Sequence, residues 1–173
     1  MVLADQSRLL NGMTQSVAAL IFFLATTCSA SAAESAWDVL KRFGLTGVWA
    51  DDCRQPASVD HFRTIYSEDA DGLARRELDF GMRSIYATFV DGAEMTSPSM
   101  LKITIRNADP KFEKFNQKTF WIVLLKEDDP QTKGGFRMRY FNSVTTEGKV
   151  GVRNGLRLGK PSPWLYNCRS SMS

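Results

Sequence analysis

From residue 35 onward the chain uses two hydrophobic periods in turn. Ala36, Val39, Leu40 and Phe43 recur at i, i+3, i+4 and i+7, which places them on one face of a helix. Ser35 precedes them with Asp38 three positions on, a capping-box arrangement in which aspartate replaces the usual Glu or Gln. Gly44 stands where a left-handed C-terminal cap belongs. The spacing predicts a short amphipathic helix over 36–43.

Beyond it the period is two. Leu101, Ile103 and Ile105 alternate with Lys102, Thr104 and Arg106, as a strand with one wet face does. Phe136, Met138 and Tyr140 alternate with Arg137 and Arg139, and Ile85, Ala87 and Phe89 with Ser84, Tyr86 and Thr88. The run 119–125 is apolar on both faces, so its outer side needs a cover, and the helix over 36–43 is the expected one. Asp71-Gly72 and Asp91-Gly92 are tight hairpin signals. Asn107-Ala108-Asp109-Pro110, Asp128-Asp129-Pro130 and Gly134-Gly135 mark longer connections, while Glu147-Gly148 and Asn154-Gly155 close a last hairpin. Strands are predicted at 46–50, 61–67, 73–80, 82–90, 100–107, 118–126, 136–145 and 148–154. There is no internal repeat, low-complexity tract or interdomain linker.

Short strands at regular spacing, without helices between them, imply an all-β antiparallel barrel or sandwich. Eight strands can close into an up-and-down barrel and so remove the exposed edges that invite aggregation. The expected fold is that barrel with one short N-terminal helix, and a β-sandwich is the alternative.

The first 33 residues differ in character. Arg8 gives a basic start, 17–25 is an apolar core, and Ser29-Ala30-Ser31-Ala32-Ala33 offers A-x-A cleavage sites after Ala32 or Ala33. Residues 1–33 are expected to be a signal peptide and 34–173 a single domain. The alternatives are a retained anchor, for which the apolar run falls short of the ~20 residues a bilayer needs, and lipid attachment at Cys28. For the latter, Ala25-Thr26-Thr27 lacks the usual lipoprotein pattern. Cleavage leaves no stable membrane span. No Asn-x-Ser/Thr sequon occurs, which leans toward a periplasm rather than a eukaryotic secretory route. The formal charge of +3 carries mixed signs and does not argue for nucleic acid.

Removal of the leader leaves Cys53 and Cys168 as the only cysteines, 115 positions apart. In an oxidising compartment they are expected to pair and tie the first strand to the tail. Closing so long a loop stabilises by about 4 to 5 kcal/mol in the chain-entropy model. A lone pair of cysteines with one histidine has no metal-site pattern, and neither metal nor cofactor is expected.

A short helix followed by Gly47-Val48-Trp49 on the first strand resembles the opening of the lipocalin and wider calycin barrels. The resemblance implies that Trp49 plugs the closed end beneath a ligand cavity, with Arg153 of the final strand packed over it as a lipocalin arginine is. The chain departs from that family in three ways. It lacks the mid-barrel threonine-aspartate-tyrosine turn and the long C-terminal helix, and its cysteines are paired differently. It is also similar to a group of small exported proteobacterial proteins with a G-x-W-A-x-x-C opening and a P-W-x-x-C ending. Here the ending reads Pro163-Trp164-Leu165-Tyr166-Asn167-Cys168, one residue longer.

Catalytic chemistry is thin. His61 is the single histidine, and no nucleophile motif such as G-x-S-x-G accompanies it. Asp51-Asp52 and Glu127-Asp128-Asp129 read as turn chemistry, and Lys133-Gly134-Gly135 lacks the P-loop pattern. No catalytic residue is assigned, and an enzyme is not expected. Arg63, Arg75, Arg76, Arg83, Arg106, Arg137, Arg139 and Arg153 all fall in predicted strands. They form either a solvated face or, for a few of them, a barrel mouth that holds a carboxylate or phosphate headgroup. Phe80, Phe89, Phe120, Phe136, Met138 and Tyr140 are the candidate lining for an apolar ligand. Six large side chains also weigh toward a filled interior, since an eight-stranded barrel is just wide enough to be packed solid. The expected function is binding of a small apolar or amphipathic ligand, or action on an envelope protein through the surface of a packed barrel.

Overall fold

The structure, a computed structural model, describes residues 33–81, 85–108, 120–130, 135–145 and 147–168. The expected signal peptide and Cys28 lie outside the described residues, as do Arg83, the Lys133-Gly134 step and the Asp109-Pro110 half of the 107–110 connection.

Helix α1 (Ala36–Phe43) begins and ends where its caps predict. The Ser35 hydroxyl oxygen accepts from the Asp38 N–H at 3.1 Å. Gly44, at φ 86°, lets its own N–H reach Lys41 O and that of Leu45 reach Leu40 O. A Cβ at Gly44 would also stand 3.0 Å from the Phe136 ring, so packing and backbone both favour glycine there.

Strands β1 (Gly47–Ala50), β2 (Arg63–Glu68), β3 (Ala74–Asp79), β4 (Ile85–Ser97), β5 (Met100–Asn107), β6 (Phe120–Asp128) and β7 (Phe136–Thr145) pair antiparallel in chain order. The short segments β8 (Val150–Val152), β9 (Leu156–Arg157), β10 (Lys160–Pro161) and β11 (Leu165–Asn167) follow. β11 pairs with β1 through Trp49–Asn167 and with β7 through Leu165–Met138. That double pairing closes an eight-stranded antiparallel barrel from β11 and β1 through β7. A single sheet that closes on itself is not a sandwich.

Three expectations change. The closing strand is β11, whereas the predicted last strand at 148–154 survives as β8, paired only with the far half of β7. Asp91-Gly92 is not a hairpin. β4 runs through it with a bulge between Val90 and Gly92, and the chain reverses at Pro98-Ser99. That bulge is a local insertion into one strand, and the pairing resumes beyond it. Finally, α1 does not cover the outer face of β6. It packs against β4, and its buried Val39, Leu40 and Phe43 join the cluster formed by inward residues such as Trp49, Leu101 and Leu124.

Direct cross-strand partners share a face, so the register identifies the interior. Trp49 opposes Thr64, Tyr66 opposes Arg76, and Arg76 opposes Thr88. Farther round, Ile105 opposes Phe120, Leu124 opposes Tyr140, and Lys126 opposes Met138. α1 closes one end of this interior, which is solid there: Leu40, Trp49, Leu101, Leu124 and Met138 are all fully buried.

The Cys53–Cys168 disulfide is present, with Cα atoms 5.2 Å apart. It joins the loop after β1 to the end of β11, and the Cys168 N–H donates to Val48 O at 2.8 Å beside it. Covalent bond and ladder therefore hold the same seam.

Candidate functional site

Away from α1 the barrel is hollow. A cavity of about 400 Å³ opens there, within the ~300–1,000 Å³ of small-molecule sites. Its strand lining comes from inward positions: Arg76 and Leu78 of β3, Phe120 and Ile122 of β6, and Tyr140 and Ser143 of β7. Phe62 borders it before β2, and Gly151, Val152, Arg157, Ser162 and Pro163 of the C-terminal segment complete its lining. A second recess of about 250 Å³ shares Phe120, Ile122, Ser143 and Gly151 with it and extends toward Tyr86, Ile105 and Lys149.

The chamber's polar group is Arg76. β3 alternates Ala74, Arg76 and Leu78 inward against Arg75, Glu77 and Asp79 outward, so an arginine occupies a core position. It is only 4% exposed. Its Nη2 donates to the Tyr140 hydroxyl oxygen at 2.9 Å, and that oxygen lies 3.1 Å from Thr64 Oγ1. The Tyr140 ring centroid is 5.8 Å from the guanidinium carbon. Its Nε is buried without a hydrogen-bond partner. Burial works against the guanidinium charge, while the hydrogen bond to the Tyr140 oxygen favours it, and its pKa lies above the ordinary arginine value. Burial likewise pushes the Tyr66 hydroxyl up, so Tyr66 stays neutral. A buried charge that lacks an ionic partner costs several kcal/mol, and this fold retains one.

The other strand arginines are unlike it. Arg75 pairs with Glu77 at 2.8 Å, Arg106 with Asp91 at 2.9 Å and Arg137 with Glu127 at 3.3 Å, all at the surface. Arg63 donates to Gln55 O. Arg137 and Arg139 share the outer face of β7 and stack on the Trp164 ring, at 4.3 and 4.5 Å from its centroid.

The six expected lining residues divide. Phe120 and Tyr140 line the cavity. Phe80 is not in its lining and packs instead on Phe62, with ring centroids 6.0 Å apart. Phe136 and Met138 belong to the solid end, where Phe136 packs on Trp49 with ring centroids 5.2 Å apart. Phe89 faces outward beneath Arg106, whose guanidinium carbon is 4.6 Å from its ring centroid. Here the face assignment of β4 is reversed: Tyr86 and Thr88 point in, opposite Leu78 and Arg76. Trp49 is fully buried in one cluster with Leu40 and Phe43 of α1. Arg153 is exposed at the turn into β9, and the cation over the Trp49–Phe136 stack is Lys126, 4.8 Å from the Phe136 centroid.

Arg76 was the residue to single out. It is the one charged member of the apolar phase Ala74, Arg76, Leu78, Phe80, a signal present in the sequence but hidden among neighbouring arginines. His61 Nδ1 lies 3.3 Å from Asp51 Oδ2, at the barrel surface ahead of β2. The Ser58 hydroxyl oxygen accepts from the His61 backbone N–H at 3.1 Å. Among the described residues no helix is long and apolar enough to cross a membrane. Comparison with protein-family models, with curated proteins and with solved structures gives no match.

Proposed function

We propose that this chain is an exported, lipocalin-like barrel that binds a small amphipathic molecule inside its open end. The observation that carries the reading is the apolar chamber of about 400 Å³ beside a solid half-core. A barrel of this size is readily packed solid with side chains, and here only the half next to α1 is filled. Polarity in the chamber is concentrated at a few convergent groups, chiefly Arg76 and Tyr140, which is how small-molecule sites fix orientation. The buried Trp49 beneath α1 supports the kinship with lipocalins, and the disulfide fits an oxidising compartment such as the periplasm. The reading is one of binding rather than catalysis.

Native mass spectrometry of protein purified from its own host tests it. A retained adduct of lipid-like mass, displaced by organic solvent, is the expected result. A clean apo mass, together with failure of Ile122→Trp to alter uptake of any hydrophobic probe, would argue for a barrel that works by its outer surface.

A further inference from the structure

We propose that Arg76 is the anchor for an acidic head on the ligand, and that the ligand is an aliphatic monocarboxylate, a fatty-acid-like molecule. The inference rests on the binding reading above and adds the chemistry of what is bound.

Three observations carry it. Arg76 is nine-tenths or more buried and lines the cavity, yet no carboxylate among the described residues pairs with it. Its hydrogen bonding is incomplete: Nη2 is engaged by the Tyr140 hydroxyl, while Nε has no partner. The lining is otherwise mainly apolar, with Phe62, Leu78, Phe120, Ile122 and Val152 against the smaller polar contribution of Ser143 and Ser162 and the exposed Arg157. A guanidinium presents its N–H groups as a planar fork that matches a carboxylate. Thr64 and Tyr140 place two hydroxyls 3.1 Å apart beside that fork.

Charge selects the head group. One buried cation is neutralised by one negative charge, so a carboxylate leaves the interior without net charge. A phosphate monoester near neutral pH brings up to two charges, and the other cations lining the two cavities, Arg157 and Lys149, are exposed rather than buried beside Arg76. The adjoining recess of about 250 Å³ gives the aliphatic tail room beyond Ile122.

The test uses the oxidised, delipidated protein with decanoate and decanol, which share one chain and differ in charge. Calorimetry at neutral pH should give decanoate at least about tenfold the affinity of decanol, because a charge-assisted bidentate contact is present in only one. Arg76→Met should remove that preference and leave decanol binding intact. Arg76→Lys, which keeps a charge but not the fork, should retain part of it.

Equal affinity of the two probes for the unaltered protein would overturn the anchor and leave the binding chamber standing, and this arm needs no variant to fold. Preference for decanoate that survives in folded Arg76→Met would also overturn it. Binding of neither probe would overturn the chamber reading itself.

Discussion

Lys126 reaches across from the barrel wall to the end of the helix, where its Nζ donates to Phe43 O at 3.1 Å and lies 4.4 Å from the Phe43 ring centroid. It stands at an inward position opposite Met138, so its aliphatic stem shares the core while its charge meets two rings and a helix-end carbonyl. The contact fastens α1 to the barrel end that α1 closes. Replacing Lys126 by Ala should lower the stability of the oxidised protein by about 2 kcal/mol, summing one hydrogen bond, a cation–π contact and lost stem packing. Lys126→Met, which keeps the stem, should lose about half of that. Urea unfolding of the three proteins measures both differences, and three equal midpoints would show the contact to be incidental.

The bridge between Cys53 and Cys168 spans 115 positions and fastens a three-residue strand. Cys53→Ser should cost up to about 4 kcal/mol and lower Tm on the order of 10 °C. Reduction of the unaltered protein should give the same loss. Superimposable melting curves for oxidised and reduced protein would mean the ladder alone holds the seam.

Beside that bridge, Asp52 accepts from the Arg54 side chain at 3.1 Å and from its backbone N–H at 3.0 Å. These bonds hold the Asp52 carboxyl down at about 2, below the ordinary aspartate range. A depressed carboxylate stabilises the fold above the unfolded pKa, about 4, and that contribution disappears as pH falls through about 2. NMR titration of the Asp52 carboxyl should show the low midpoint, and Arg54→Ala should move it upward. An ordinary midpoint in the unaltered protein would mean the Arg54 contacts do not persist in solution.

At the tip of the β9–β10 hairpin, Leu158 is 95% exposed and sits at φ 50°. The two-residue loop between Arg157 and Lys160 requires positive φ, where Asn is tolerated and a branched aliphatic side chain is not. Leu158→Asn should therefore stabilise by about 0.5 to 1 kcal/mol, a rise in Tm of a few degrees. A drop in stability would indicate that Leu158 packs against something in solution.

What could be read from the chain follows from how local each feature is. The helix was legible to the residue because Ser35 and Gly44 both sit next to what they cap. β5 and β7 were legible because one apolar phase alternates cleanly with charged residues. β4 was not. Asp91-Gly92 suits a tight turn and a bulge equally, and the choice rests on whether Ala93 and Met95 find Ile103 and Leu101 across the strand. The same pairing decides that Thr88 rather than Phe89 faces inward. β11 escaped notice because it is three residues long and its place depends on two partners distant in sequence. Of the site, Tyr140 was legible from alternation, whereas the run 119–125 is apolar on both faces and gives Phe120 no phase of its own. Arg76 needed the register of β2 and β3 to separate it from Arg75.

The position of β11 also imposes an order on assembly. Until residues 165–168 have been delivered, Gly47–Ala50 and the 137–138 stretch of β7 face one another across an unzipped gap. A polypeptide made head first cannot complete its hoop early, however long its front portion waits. The wall around the chamber near Arg76 is thus completed only in a late event, which the Cys53–Cys168 bond then locks covalently.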